Sequence, residues 1–253
     1  MGATLQNSVV QGSEVASVLP GVRRGAVAVL ASLAFFGGFS PVAAGAVLST
    51  GKLSRIRHAQ EILGDDLYSQ SPVALSRTWG QKQISASVIA VFQKRLSARD
   101  RHRARSMAQA LLTESKRYGF DPFFVLAMIA TESRFNPRTV GSVGEIGLLQ
   151  IRPTTAAWIA RKEGLRYEGA QSLFRPGDNL RLGLAYLAFL RDSFESKSRL
   201  YLSAYNMGGA AVRRLVARSV YPGDYASRIV GNYLSIYQGL LGTGRASAVL
   251  AAN

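Results

Sequence analysis

One acidic side chain, Glu132, stands where acid–base chemistry would want it. It closes the run Phe123-Phe124-Val125-Leu126-Ala127-Met128-Ile129-Ala130-Thr131-Glu132, which is apolar almost throughout, with Met128 and Ile129 one helical turn behind it on the same side. Removing a carboxylate from water raises its pKa, and a carboxylic acid still protonated near neutral pH can protonate the leaving oxygen of a glycosidic bond. A glutamate at a helix end can equally emerge from the core and pair with Arg134 or Arg138, so position alone leaves both readings open. Other chemistries are poorly served. Cysteine is absent, which removes disulfides, iron–sulfur clusters and thiolate zinc sites, and the two histidines, His58 and His102, sit near no second ligand or nucleophile motif.

Whatever acts here must be held by helices. The 253 residues, 47% hydrophobic and 18% charged, suffice for one catalytic-size domain with an appendage. Asp121 before Pro122 is a helix start, because the aspartate can cap free amides and proline needs none at the first position. The helix that follows is apolar all round, so it should run through the centre of the domain until Asn136-Pro137 stops the chain. A loop from Val140 to Gly147 carries three glycines, and Pro153-Thr154-Thr155 opens another helix through Ala157, Trp158 and Ala160. Asp178 is expected to cap a third, with Leu180, Leu184, Leu187, Ala188 and Phe189 at helical spacing. Further helices are expected near Arg199–Met207, Ala210–Ala217 and Asp224–Leu240.

Upstream, Ile84, Val88, Ile89, Phe92 and Leu96 mark one helix. Ala104, Met107, Ala108, Leu111 and Leu112 mark the next, whose other sides carry Arg99, Arg101, Arg103 and Arg105. From Gly51 to Trp79 the pattern is weak and reads as a linker or small helical extension. No segment alternates well enough for a long strand, and the class is all-α.

Three short motifs occur in one order: Glu132-Ser133 followed by Asn136-Pro137, then Gly147-Leu148-Leu149-Gln150, then Ala204-Tyr205-Asn206. Each is weak alone, but the ordered set resembles the lytic transglycosylases of the soluble, Slt-like type, over roughly Ser106 to Leu241. The resemblance implies a lysozyme-like helical domain around one substrate groove, with no metal and no cofactor. It makes Glu132 the general acid and then the base. Gln150, with the main chain of Gly147, Leu148 and Leu149, would line the groove and hold a sugar near the scissile bond. Ser133 and Ser142 would hydrogen-bond near an acetamido group or the loop. Tyr205 and Asn206 would close the site beside Glu132, and Tyr225 would stack over or bond to the sugar. The implied substrate is peptidoglycan, cut between N-acetylmuramic acid and N-acetylglucosamine with a 1,6-anhydromuramyl product. In that family the substrate's own C6 hydroxyl replaces the second carboxylate of ordinary glycosidases.

Three positions depart from the family pattern. Leu149 stands for the usual methionine, Tyr221-Pro222-Gly223 for an acidic-Thr-Arg run, and Glu145 for a small residue. Glu145 raises the hypothesis of a base for water, which would turn the reaction toward muramidase-type hydrolysis. A non-catalytic glycan-binding module is the other alternative, and the intact Glu132, Gln150, Tyr205 and Asn206 argue against it.

The termini and charge bound location and partners. Arg23 and Arg24 precede an uncharged stretch, Gly25 to Leu48, with an apolar centre from Ala26 to Phe36 and small residues at Ala44-Gly45-Ala46. That is the layout of an export signal, or of a membrane anchor if left uncleaved, and it places the remainder in the periplasm or cell envelope. The expected organisation is 1–46 signal or anchor, 47–105 linker and helical extension, 106–241 catalytic domain and 242–253 flexible tail. Lys and Arg number 31 against 15 Asp and Glu, a net charge of +16 that attracts polyanions without choosing among them. The arginine run has no interleaved aromatics to stack on bases, so nucleic acid is not expected as a partner. Association with a membrane, or with a secretion or conjugation apparatus that must open the wall, remains compatible with the resemblance.

Overall fold

The computed structural model describes residues 50–250; the signal or anchor segment lies outside them. In chain order the helices are α1 (Thr50–Leu63), α2 (Asp65–Gln70), α3 (Pro72–Leu75), α4 (Gln81–Arg95), α5 (Ala104–Tyr118), α6 (Pro122–Glu132), α7 (Pro153–Glu163), α8 (Pro176–Ser193), α9 (Ser198–Met207), α10 (Gly209–Val216) and α11 (Asp224–Leu250). Short 3-10 turns occupy Ser76–Thr78, Arg101–Arg103 and Ala170–Phe174. Among the described residues β pairing is limited to isolated bridges between Val140 and Ile146 and between Ile146 and Ile151. The class is all-α.

α6 is the axis of the domain. Every side chain from Phe123 to Ile129 is fully buried, and α11, α5 and α4 pack around it. The helix starts where its sequence says: Pro122 takes the first position and Asp121 Oδ1 accepts from the Phe123 amide at 2.8 Å. Asp121 is itself buried, and its second oxygen accepts from Tyr233 at 2.6 Å and Tyr237 at 3.0 Å on α11. Burial pushes this carboxyl above its ordinary pKa, against the opposing pull of Arg55 and the two phenols.

The stretch read as a linker or small helical extension is helical and is built into this core. α1 donates Arg55, which bonds Ser76 Oγ at 2.8 Å and the Tyr237 hydroxyl at 3.2 Å, and His58, whose Nδ1 accepts from the Asp121 amide at 3.2 Å. Ala59, Ile62, Tyr68, Val73 and Trp79 share the core cluster of α6, and Trp79 meets Phe123 edge-on at 5.7 Å. Periodicity misses these helices because α2 and α3 are only six and four residues long. At the other end α11 continues to Leu250, through the expected tail.

α8 corrects a second expectation. It begins at Pro176, and Asp178 lies in its first turn rather than at the cap, bonded to Arg175 at 2.5 Å and also to Arg181. Proline at the first position sets the start three residues earlier than a cap at the aspartate suggests. α8 carries the second, smaller core, in which Leu182 and Ala185 pack with Ile146, Ile151, Ala156, Ile159 and Leu173 beneath the 140–152 loop.

Candidate active site

Glu132 is the last residue of α6, and the chain turns away sharply behind it. Arg134 and Phe135 take left-handed backbone angles, φ 50° and 65°, rare for residues with a Cβ and costing about 1–3 kcal/mol each. Two contacts hold the turn: Phe135 is buried against Phe92 at 5.6 Å, edge to face, and the Ser133 hydroxyl donates to the Ile129 carbonyl at 3.2 Å. Ser133 is therefore a turn residue, turned into the helix rather than toward a ligand. The Glu132 carboxyl is left at the edge of a cavity of about 680 Å³ that it lines with Arg134, Asn206, Tyr225, Arg228 and Asn232.

The phenol on that carboxyl belongs to Tyr225, in the first turn of α11, whose hydroxyl donates to Glu132 Oε1 in a short hydrogen bond. Tyr205, expected to close the site beside Glu132, donates to the Leu149 carbonyl at 2.8 Å and so braces the loop. Desolvation pushes the Glu132 carboxyl up to about 7, with nearby Glu145 adding to the rise while Tyr225 and Arg228 oppose it. Burial and the adjacent carboxyl hold both phenols well above their ordinary pKa, so each is a fixed donor near neutral pH. α11 is clamped to α6 here by Asn232, which donates to Thr131 Oγ1 at 2.9 Å.

The loop that follows Val140 is fixed from below by Asn179, a fully buried residue of α8. Its amide nitrogen donates to the carbonyls of Ile146 (2.7 Å) and Leu173 (3.0 Å), and its oxygen accepts from the Leu149 amide (2.8 Å). Gly147 lies over this amide with φ 81°, and a Cβ there would sit 2.4 Å from Asn179 Nδ2 and 2.6 Å from the Leu173 carbonyl, so only glycine fits. Leu148 and Leu149 point into the core, Leu149 against Gly183, where a Cβ would fall 2.7 Å from its Cδ1. Gln150, at φ 45°, donates its amide to the carbonyls of Thr139 (3.0 Å) and Gly147 (2.9 Å). Its N–H groups thus close the loop on itself. Glu145 is half-buried beside it, accepting from the Val143 amide at 3.3 Å and 4.0 Å from Arg152; Ser142 is exposed at the loop tip.

Of the residues expected from sequence, the structure brings Glu132, Asn206 and Tyr225 around one cavity, while Tyr205 on α9 bonds the loop that carries Gly147 to Gln150. Two supporting residues were not anticipated. Asn179 carried only the weak signal of one amide within the apolar pattern of α8. Arg199 carried none: it bonds the carbonyls of Tyr221 (2.8 Å) and Pro222 (3.2 Å), holding the turn that delivers Tyr225 in place of the family's acidic-Thr-Arg run. Among the described residues no group of three or more His, Cys, Asp or Glu side chains is arranged to hold a metal.

A buried carboxyl held at the edge of a cavity in an all-helical domain is able to act as a general acid. Residues 109–225 match the transglycosylase SLT domain family. The chain is 39% identical over 108 residues to membrane-bound lytic murein transglycosylase C of Histophilus somni, covering 39% of this chain and 30% of that one. It is 30% identical over 149 residues to a putative soluble lytic murein transglycosylase of Haemophilus influenzae, covering 59% of this chain and 25% of the relative. The chain thus spans less than a third of the length of either relative. Among solved structures it is similar to an inactive mutant of the lytic transglycosylase Slt of Pseudomonas aeruginosa, with TM-score 0.48 and 24% identity over 78% of this chain and 38% of that one. It is also similar to the 70 kDa soluble lytic transglycosylase of Escherichia coli, with TM-score 0.47 and 20% identity over 76% and 36%.

Proposed function

We propose that this chain is a peptidoglycan lytic transglycosylase. It cleaves the β-1,4 bond between N-acetylmuramic acid and N-acetylglucosamine and leaves a 1,6-anhydromuramyl end. The observation that carries this reading is Glu132, desolvated until its carboxyl titrates near 7, fixed by Tyr225 and open to a cavity large enough for sugar rings. A protonated carboxylic acid gives its proton to the glycosidic oxygen as the bond breaks. The resulting carboxylate then takes the proton of the muramyl C6 hydroxyl as that oxygen attacks C1 and closes the anhydro ring. Atoms balance without water, and Glu132 returns to its starting form. Tyr225 donates to the carboxylate between the steps, and Asn206 at the cavity wall is placed to bond an acetamido group. On this reading Ser142, Gln150 and the Gly147–Leu149 main chain contact the glycan from the loop that Tyr205 braces. Murein relatives support an exported, envelope location for this activity; no helix among the described residues is long and apolar enough to cross a membrane.

Muramidase-type hydrolysis is the second reading, favoured by Glu145 lying close enough to Glu132 to raise its pKa. Purified peptidoglycan incubated with the wild-type chain, Glu132→Gln and Glu145→Gln separates the cases. Release by wild type and Glu145→Gln with one product spectrum, and none by Glu132→Gln, supports transglycosylation by a single acid. Release by Glu132→Gln at the wild-type rate removes the assignment.

A further inference from the structure

A second cavity, of about 340 Å³, lies between α7, α8 and the start of α10, lined by Thr154, Thr155, Trp158, Tyr186, Phe189 and Arg213 among others. Three aromatic rings meet there. Trp158 packs edge-on against Phe189 at 4.8 Å and Tyr186 at 6.3 Å, so the neighbouring rings fix its orientation, yet it is 38% exposed. The chain has two tryptophans, and the other, Trp79, is in the core. A large aromatic braced by its neighbours and facing water at a cavity wall suits a partner that is apolar on one face and polar at its edge.

The cavity adjoins the Glu132 groove. Asn206 lines the first cavity and Gly209 the second, three residues apart across the α9–α10 junction. The rings of Tyr186 and Tyr205 lie 5.6 Å apart, and Tyr205 bonds the carbonyl next to Gln150. From Gln150 the loop runs directly into Thr154 and Thr155 at this rim.

We infer that Trp158, backed by Tyr186 and Phe189, is a stacking platform for a pyranose of the glycan strand, a subsite beyond the residues around Glu132. A β-linked N-acetylglucosamine ring carries its hydroxyls equatorially and presents a face of C–H groups that lies flat on an indole. Thr154 and Thr155 then meet the ring hydroxyls at the edge, and Arg213 offers N–H donors to hydroxyl and acetamido oxygens of the sugar. A strand that engages both cavities is held over Glu132 more firmly than one reaching the first alone. The inference rests on the glycan reading above and extends it along the strand.

The test uses the full-length Glu132→Gln chain, which binds without turnover, with and without Trp158→Ala or Trp158→Phe. Tryptophan emission and calorimetry are followed with N-acetylglucosamine trimer, hexamer and an isolated stem peptide. The hexamer is expected to shift and quench emission, Trp158→Ala to weaken hexamer binding about tenfold while sparing the trimer, and Trp158→Phe to recover most of the loss. Equal hexamer affinity in Trp158→Ala, or emission that answers to the peptide and not the sugar, overturns the subsite. If wild type lyses peptidoglycan while Trp158→Ala binds normally, only the subsite falls. If no oligomer binds and wild type releases nothing, the glycan reading falls with it.

Discussion

Replacing Glu132 by glutamine should make the protein more stable above neutral pH while abolishing its chemistry. In the fold the carboxyl titrates at about 7 instead of 4.5 because burial disfavours its charged form. Below pH 4.5 both folded and unfolded chains hold the proton, and Glu132 costs the fold nothing extra. Between pH 4.5 and 7 the folded chain keeps a proton the unfolded chain has lost, so stability declines as pH rises. Above 7 the full cost is present, roughly 3 kcal/mol at about 1.36 kcal/mol per pH unit. Glutamine keeps an acceptor for the Tyr225 hydroxyl and cannot ionise. Urea unfolding of both proteins at pH 4 and pH 8 checks this: the midpoints should nearly coincide at the lower pH, with the variant ahead by roughly 2–3 kcal/mol at the higher. A difference that stays constant between the two pH values would mean that Glu132 is not desolvated, and the basis for its role as an acid would be gone.

Other consequences are as specific. Tyr225→Phe removes the donor that favours the Glu132 carboxylate, so the loss of activity above about pH 7 should move to higher pH; kcat should fall about 10- to 100-fold, read from pH–rate profiles on soluble glycan strands. Gly147→Ala pushes a methyl into Asn179 and the Leu173 carbonyl at a left-handed backbone position, and should cost about 2–4 kcal/mol in denaturant unfolding. His58 is held neutral by burial, with Arg191 adding to the effect, down to about 3 against 6.5. The unfolded chain therefore gains a proton that the fold refuses. Stability should drop as pH falls from 6.5 toward 3, by roughly 4–5 kcal/mol in all. His58→Asn, which can still accept from the Asp121 amide, should flatten that slope even if it lowers stability overall.

Much of the central architecture is legible in the residues. Asp121-Pro122 and the unbroken apolar run define α6 and its burial, because capping and hydrophobicity act locally. Glu132 is legible as the one carboxyl at the end of that run. What sequence misses is long-range. Nothing near His58 or Arg55 signals that Asp121, more than sixty residues away, is their partner, and so α1 reads only as a linker or small helical extension and not as part of the core. The division of roles between the two tyrosines has the same origin: Tyr205 and Tyr225 have similar credentials in sequence. Only the placement of the Leu149 carbonyl and the Glu132 carboxyl decides which phenol meets which group. Asn179 is hidden because its three loop contacts exist only once α8 has packed under the 146–149 turn.

The mass of the muramyl ends released from purified peptidoglycan tests the role of Glu132 most directly. Wild type should yield muropeptides one water lighter than the hydrolytic products, and Glu132→Gln should yield neither form. Anhydro ends appearing undiminished from Glu132→Gln, or hydrated ends alone from wild type, would contradict a lone protonated glutamate that passes its proton out and takes it back.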